Sequence, residues 1–398
     1  DDETGGILCA VYKKGNLVYC NKFGWKNKED KIFIAFDDIF RLHSMTKPIT
    51  CLAALILHEE GKYELNDPLE KYLPEFKNLK ILKSYDHETG EIELEDIKNP
   101  ITIKQLFTHT SGLSYGFYPS IPVDMLYGKK FGFTSENRIK SVLEEHQRIG
   151  TLENFGKRLA SLPLISEPES RFWYAFGHDV LGLLIEKLSG KAFDVFLKER
   201  IFDKIGMKDT DFYVPLEKQD RFVEVYTKDQ ENNLIKITDS IAEGYNHKPI
   251  FLSGGAGLVS TLEDYLKFCI MMLNGGQYNG NKVISKKTID LMSSNQLPDG
   301  KSYLEMQLFQ PEDPEIIKRN EGFGFGLGVV VKTAENMHKC AIGEYGWAGA
   351  LNVLFRIDPT NLLVTVVMTQ YCPVDNNWIL PIETFRITDL VYNALEKT

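Results

Sequence analysis

This chain lacks the signatures of a metal site, a disulfide framework and a bilayer span. Its six cysteines, Cys9, Cys20, Cys51, Cys269, Cys340 and Cys372, lie far apart. None forms a C-x-x-C pair or joins a histidine at zinc-ligand spacing, which excludes the common zinc modules. Cys9 and Cys20 come within reach of each other across a hairpin, but buried free thiols are the expected state. That expectation, together with the missing N-x-[ST] acceptor, leans mildly toward a reducing, cytoplasmic setting. No apolar run approaches the roughly 18 residues that a membrane span needs. A basic surplus is missing too: the net charge is -10, which argues against a nucleic-acid or anionic-membrane partner. The chain begins at Asp1 rather than a methionine, so any targeting segment is expected to lie outside it.

What the chain does have is apolar material, 43% of 398 residues, enough for one large domain or two lobes. Its most informative segment is Ser44-Met45-Thr46-Lys47. A helical turn stacks residues three apart on one face, so a hydroxyl and an amine meet there. A lysine desolvated enough to lose its proton near neutrality can activate that serine as a nucleophile. The predicted helix runs from Ser44 to Glu60, buries a stripe of Ile49, Leu52, Ala53, Ile56 and Leu57, and stops at Gly61. Ser44 thus lies at the positive end of the helix dipole. Taken alone, S-x-x-K arises about once or twice by chance in a chain of this size. A capping serine with Lys47 in solvent is the bland alternative.

Alternation predicts strands at Gly6–Tyr12 and Leu17–Phe23 around a Lys14-Gly15-Asn16 turn. It predicts further strands at Phe325–Lys332, Met337–Gly343, Leu351–Asp358 and Leu362–Thr369. A closing helix over Pro381–Lys397 carries the stripe Ile382, Phe385, Ile387, Leu390, Val391 and Leu395. Strands at both ends with helices between predict an α/β (α+β) fold. Its antiparallel sheet, flanked by helices, would be built by 1–68 and 246–398, and 69–245 would be an inserted, mainly helical lobe. Lys83–Asn99 reads as an exposed excursion, and Leu297–Asn320 as polar, proline-containing chain.

In this order the segments resemble the serine beta-lactamase and penicillin-binding-protein-like superfamily. The likeness rests on FRLHSMTK (Phe40–Lys47), ITIKQLFTHTSGL (Ile101–Leu113), LPLISEPESRFWYAFGHDVLG (Leu162–Gly182), SGGAGLVSTLEDYLKFCIMML (Ser253–Leu273) and EYGWAGALNVLFRID (Glu344–Asp358). Within it the chain is most similar to class-C-like (family VIII) carboxylesterases and related acyltransferases. The resemblance implies Ser44 as nucleophile, with Lys47 and Tyr174 as acid and base, and leaves open which of the two acts first. It implies a Tyr174 phenol made more acidic by the Lys47 ammonium. It also implies an oxyanion hole from the backbone N–H groups of Ser44 and Ala350, beside a strand where Gly349 lets substrate lie close.

Two departures from the superfamily pattern bear on substrate. Trp347-Ala348-Gly349 stands where Lys-Thr-Gly is usual, so the cation that would hold a substrate carboxylate is absent. Phe176 stands where an asparagine is common, removing an amide contact. Trp347 and Phe176 instead offer apolar area suited to an ester. Tyr115, with Phe117 and Tyr118, either walls the acyl pocket or anchors a loop. His109 and His178 are expected to be structural, since no G-x-S-x-G elbow surrounds Ser44. Ser253-Gly254-Gly255-Ala256-Gly257 lacks the context of a phosphate loop and reads as a tight turn near the cleft.

The expected function is a serine hydrolase that cleaves small-molecule esters or acyl compounds without metal or organic cofactor. The alternatives are an acyltransferase, a beta-lactamase or D-aminopeptidase-like hydrolase, and a silent binding protein. Oligomeric state is left open.

Overall fold

The computed structural model describes residues 5–131, 149–237, 244–309, 311–372 and 382–396, with side chains from 387 onward in the last segment. Strands β1 (Ile7–Lys13) and β2 (Asn16–Phe23) form the first hairpin, and β3 (Ile39–Arg41) leads into α1 (Thr46–Glu59). An exposed hairpin, β4 (Lys80–Tyr85) and β5 (Ile92–Asp96), precedes α2 (Ile103–Phe107), α3 (Pro122–Phe131) and α4 (Leu152–Leu159). Next come α5 (Gly177–Ser189), α6 (Phe193–Leu197), β6 (Val259–Thr261), α7 (Leu262–Leu273) and α8 (Lys286–Met292). The chain returns as β7 (Phe323–Phe325), β8 (Val330–Lys332), β9 (Tyr345–Gly349), β10 (Val353–Asp358) and β11 (Leu363–Thr369), and ends in α9 (Ile382–Leu395).

The main sheet is antiparallel with order β7-β8-β9-β10-β11-β1-β2, so strands from both ends of the chain meet at the β11–β1 pair. Helices cover both faces, which is why β10 and β11 are buried along their whole length rather than alternately. Val364, Val366 and Met368 face the central core. Leu363 and Val367 face the other way, toward Ile387, Val391 and Leu395 of α9. This is the expected α+β architecture, an antiparallel sheet flanked by helices with a mainly helical stretch between its strands.

Helix α1 is the hub, with every residue from Thr46 to Leu57 buried. The predicted stripe is in fact a helix enclosed along most of its length, because α5, α6 and α8 pack around it within one continuous core. Other expectations shift as well. Phe325–Lys332 is two strands broken at Gly326-Leu327-Gly328. The strand expected at Met337–Gly343 lies at Tyr345–Gly349, and Met337 is 50% exposed. Alternation in the loop imitates a strand, whereas two glycines disguise the real one. On α9, Leu390 is 59% exposed and Tyr392 is buried in its stead. The stripe positions Ile382 and Phe385 lie outside the described side chains. All six cysteines are free, but only Cys51, Cys269 and Cys340 are buried, whereas Cys9 and Cys372 are half-buried and Cys20 is exposed. Among the described residues no helix is long and apolar enough to cross a membrane.

Candidate active site

Ser44 sits on a short turn, His43–Met45, between β3 and α1. His43 adopts φ +45, a left-handed conformation that costs a non-glycine residue about 1–2 kcal/mol and persists only where its surroundings fix it. They do so here. The Leu42 N–H donates to the Leu258 carbonyl at 2.9 Å. The buried Arg41 guanidinium lies 3.7 Å from the Phe222 ring centroid and donates to the Val223 carbonyl at 2.7 Å. Ser44 is thereby left half-buried at the opening of α1.

Two groups converge on its hydroxyl. Ser44 Oγ is 2.6 Å from Tyr174 Oη and 3.1 Å from Lys47 Nζ, and Lys47 also donates to the Gly255 carbonyl at 2.7 Å. Lys47 is 1% exposed. Burial lowers its pKa to about 7, against the opposing pull of Asp179 and Cys51. The Tyr174 phenol moves the other way. Burial raises its pKa, and the Asp179 charge adds to that, while Ser44 and Trp347 oppose it. The expectation of a phenol acidified by Lys47 is therefore corrected, because desolvation outweighs the influence of an amine that itself tends to neutrality.

The loop 109–115 holds the tyrosine in place. The Trp173 N–H donates to the His109 carbonyl at 2.8 Å, and the Ala175 N–H donates to His109 Nδ1 at 3.1 Å. Trp173 Nε1 donates to Ser114 Oγ at 2.8 Å, and Ser114 Oγ in turn donates to Asp124. His109 is thus a backbone anchor. His178 lies 4.7 Å from it, ring centroid to centroid, and neither of its nitrogens has a hydrogen-bond partner among the described residues. Burial holds both imidazoles well below their usual pKa. They do not form a Ser-His-Asp relay with Ser44.

The end of β9 supplies the opposite wall. A Cβ on Gly349 would overlap the Leu42 carbonyl and stand 2.6 Å from Val353 Cγ2, so glycine lets this strand approach the Ser44 turn. Gly349→Ala is expected to push the two apart at a cost of about 1–3 kcal/mol. The thermal midpoint should fall by roughly 1–4 °C, measured by calorimetry. Ala350 follows directly at the strand's end. Trp347 stacks toward Tyr174 with ring centroids 6.1 Å apart. Tyr115 stacks on Tyr174 at 5.4 Å and on Phe117 at 4.5 Å. Phe176 does not reach the opening. It is 0% exposed and packs on Tyr115, Phe131 and Phe155, so its apolar area backs Tyr115 and does not face the opening.

The geometry is that of a serine flanked by a buried amine and a phenol, at a helix N-terminus beside the end of an interior strand of the sheet. The Beta-lactamase family profile matches residues 1–374. The chain belongs to the beta-lactamase family. It is 27% identical to the lovastatin esterase of Penicillium rubens, over 96% of this chain and 93% of that protein. It is 26% identical to the monacolin J acid methylbutanoyltransferase of Aspergillus terreus, over 93% and 87%. Among solved structures, unliganded simvastatin synthase from Aspergillus terreus shares the fold with a TM-score of 0.78 at 21% identity, over 100% and 96% of the two chains. The expectation of a serine hydrolase on this family's fold holds. The carbonyl of Gly255 was not legible in the sequence, because a backbone acceptor has no side-chain signature, and Asp179 was not, because folding alone brings it to that loop. The glycine-rich loop 253–257 was the available hint.

Proposed function

We propose that this beta-lactamase-family enzyme hydrolyses small carboxylic esters through an acyl-enzyme on Ser44. The observation that carries the reading is the pair of contacts on Ser44 Oγ, from an amine held near neutrality and a phenol kept protonated. Neutral Lys47 takes the Ser44 proton along the 3.1 Å line between them, and Oγ attacks the ester carbonyl carbon. The oxyanion then faces the N–H groups of Ser44 and Ala350, a donor of this kind contributing about 3–4 kcal/mol. As the bond to the alcohol breaks, Tyr174 gives its proton to the departing oxygen, and the Lys47 ammonium restores the phenol. Water repeats the sequence in reverse and releases the acid. Lys47 is the first base in this scheme because its burial works toward the neutral form and that of Tyr174 works away from the phenolate.

Esters fit better than carboxylate-bearing lactams, since β9 reads Tyr345-Gly346-Trp347-Ala348-Gly349 and offers no cation. Tyr115 and Trp347 would bound the acyl side. The test is a short-chain p-nitrophenyl ester with mass spectrometry of the trapped intermediate. The acyl mass is expected on the peptide that carries Ser44, and Ser44→Ala turning over at the wild-type rate would sink the reading. Acyl transfer is the second reading, favoured by the methylbutanoyltransferase among the relatives. Added alcohols yielding transfer product in preference to free acid would decide for it.

A further inference from the structure

Lys47 reaches Ser44 because the Gly255 carbonyl holds it from the other side, and that carbonyl is itself held. Asp179, fully buried on α5, accepts through Oδ1 from the Ser253 hydroxyl at 2.6 Å and from the Gly255 N–H at 3.1 Å. Ser253 Oγ accepts from the Ala256 N–H at 3.1 Å. From α1, Thr50 Oγ1 donates to the Gly254 carbonyl at 2.7 Å, and Thr46 Oγ1 accepts from the Leu258 N–H at 3.1 Å. The loop 253–258 is thus fastened to both helices. Its glycines are required for this close approach. A Cβ on Gly255 would stand 2.7 Å from both Asp179 Oδ2 and Tyr115 Oη, and one on Gly254 would overlap the His178 carbonyl.

Among the described residues Asp179 Oδ2 has no hydrogen-bond partner despite its burial. A buried carboxylate oxygen left unpaired is costly, and the neighbouring amine supplies a compensating charge. The titratable groups around Lys47 are Asp179, the His109 and His178 imidazoles, the Cys51 thiol and the Tyr115 and Tyr174 phenols. Burial favours the neutral form of both imidazoles, the thiol and the phenols. Asp179 is the carboxyl group in this set, and burial raises its pKa too, against the Ser253 hydroxyl, Lys47 and the Gly255 N–H, which favour the carboxylate.

We infer that Asp179, acting through the Ser253–Gly255 loop, positions Lys47 against Ser44 and sets the charge that Lys47 carries. Asp179 is a positioning residue, and the inference rests on the proposed role of Lys47 as base. Asp179→Asn keeps an Oδ1 acceptor and removes the charge. The acidic limb of the kcat/KM profile is expected to move down by about one pH unit, since an opposite charge close by favours the ammonium. The Lys47 Cε signal in 13C-lysine-labelled protein, assigned by its loss in Lys47→Met, should titrate at the same lower pH. Gly255→Ala displaces the carbonyl and should lower kcat at least tenfold with KM little changed. If Asp179→Asn does not fold, Ser253→Ala removes only the hydroxyl tether and should shift the Lys47 signal in the same direction by less. A Lys47 signal that titrates at the wild-type pH in the folded variant overturns the inference, even if kcat falls. The NMR readout does not depend on ester turnover. A shifted signal in a protein without esterase activity would therefore uphold the positioning role and sink the proposed function.

Discussion

Replacing Lys47 with methionine is expected to lower kcat/KM for esters by a factor of about 10³–10⁴, toward the upper end of what a general base contributes, and to stabilise the fold. The two effects share one cause. Burial lowers the pKa of Lys47 from 10.5 to about 7, a penalty on the ammonium on the order of 4 kcal/mol. Methionine removes that penalty but leaves the Gly255 carbonyl without its donor, at a cost of about 1–3 kcal/mol. The net gain of about 1–3 kcal/mol should raise the thermal midpoint at pH 7 by roughly 1–4 °C. The difference should also depend on pH. Between about 7 and about 10.4 the unfolded chain holds a proton on Lys47 that the folded chain has released, so wild-type stability rises with pH across this window. The advantage of Lys47→Met should therefore shrink as pH rises and be gone near the upper end. A variant that keeps more than a tenth of the wild-type rate would remove Lys47 from the role of base, whatever its melting behaviour.

How far the sequence could be read depended on the kind of contact involved. Helical spacing puts Ser44 and Lys47 on one face, and the structure brings them to 3.1 Å, but the ordered family motifs were needed to set the pair apart from a capping serine with its lysine in solvent. Tyr174 was legible only through the ordered family motifs, since its approach to Ser44 is set by the backbone of a distant loop at His109 and Ser114. The sign of its acidity was not legible, because it follows from burial and not from residue type. Phe176 was misread for a related reason. Its place after the tyrosine suggests the cleft, but an aromatic ring gains more by packing on Phe131 and Phe155 than by facing water. The β9 strand hid behind Gly346 and Gly349, residues of low strand propensity. One of them is there so that the strand can approach the Leu42 carbonyl.

Tyr174→Phe should separate the two halves of the proposed chemistry by its dependence on the leaving group. The phenol lies 2.6 Å from Ser44 Oγ, and burial disfavours its ionised form, so at working pH it enters the reaction as a proton donor. An alkyl ester expels a strongly basic alkoxide that needs that proton as the bond breaks. For such substrates the variant should lose about 10²–10⁴ in kcat, the usual contribution of a positioned acid. A p-nitrophenyl ester expels a phenolate that leaves without a proton, and its acylation should fall by no more than about tenfold, as read from the pre-steady-state burst. Deacylation passes the same proton in the opposite direction through Tyr174, so the variant should accumulate acyl-enzyme on Ser44 with the aryl ester and show a larger burst over a slower steady state. Equal losses for alkyl and aryl esters, without accumulation, would mean that Tyr174 activates the nucleophile and would exchange its role with that of Lys47.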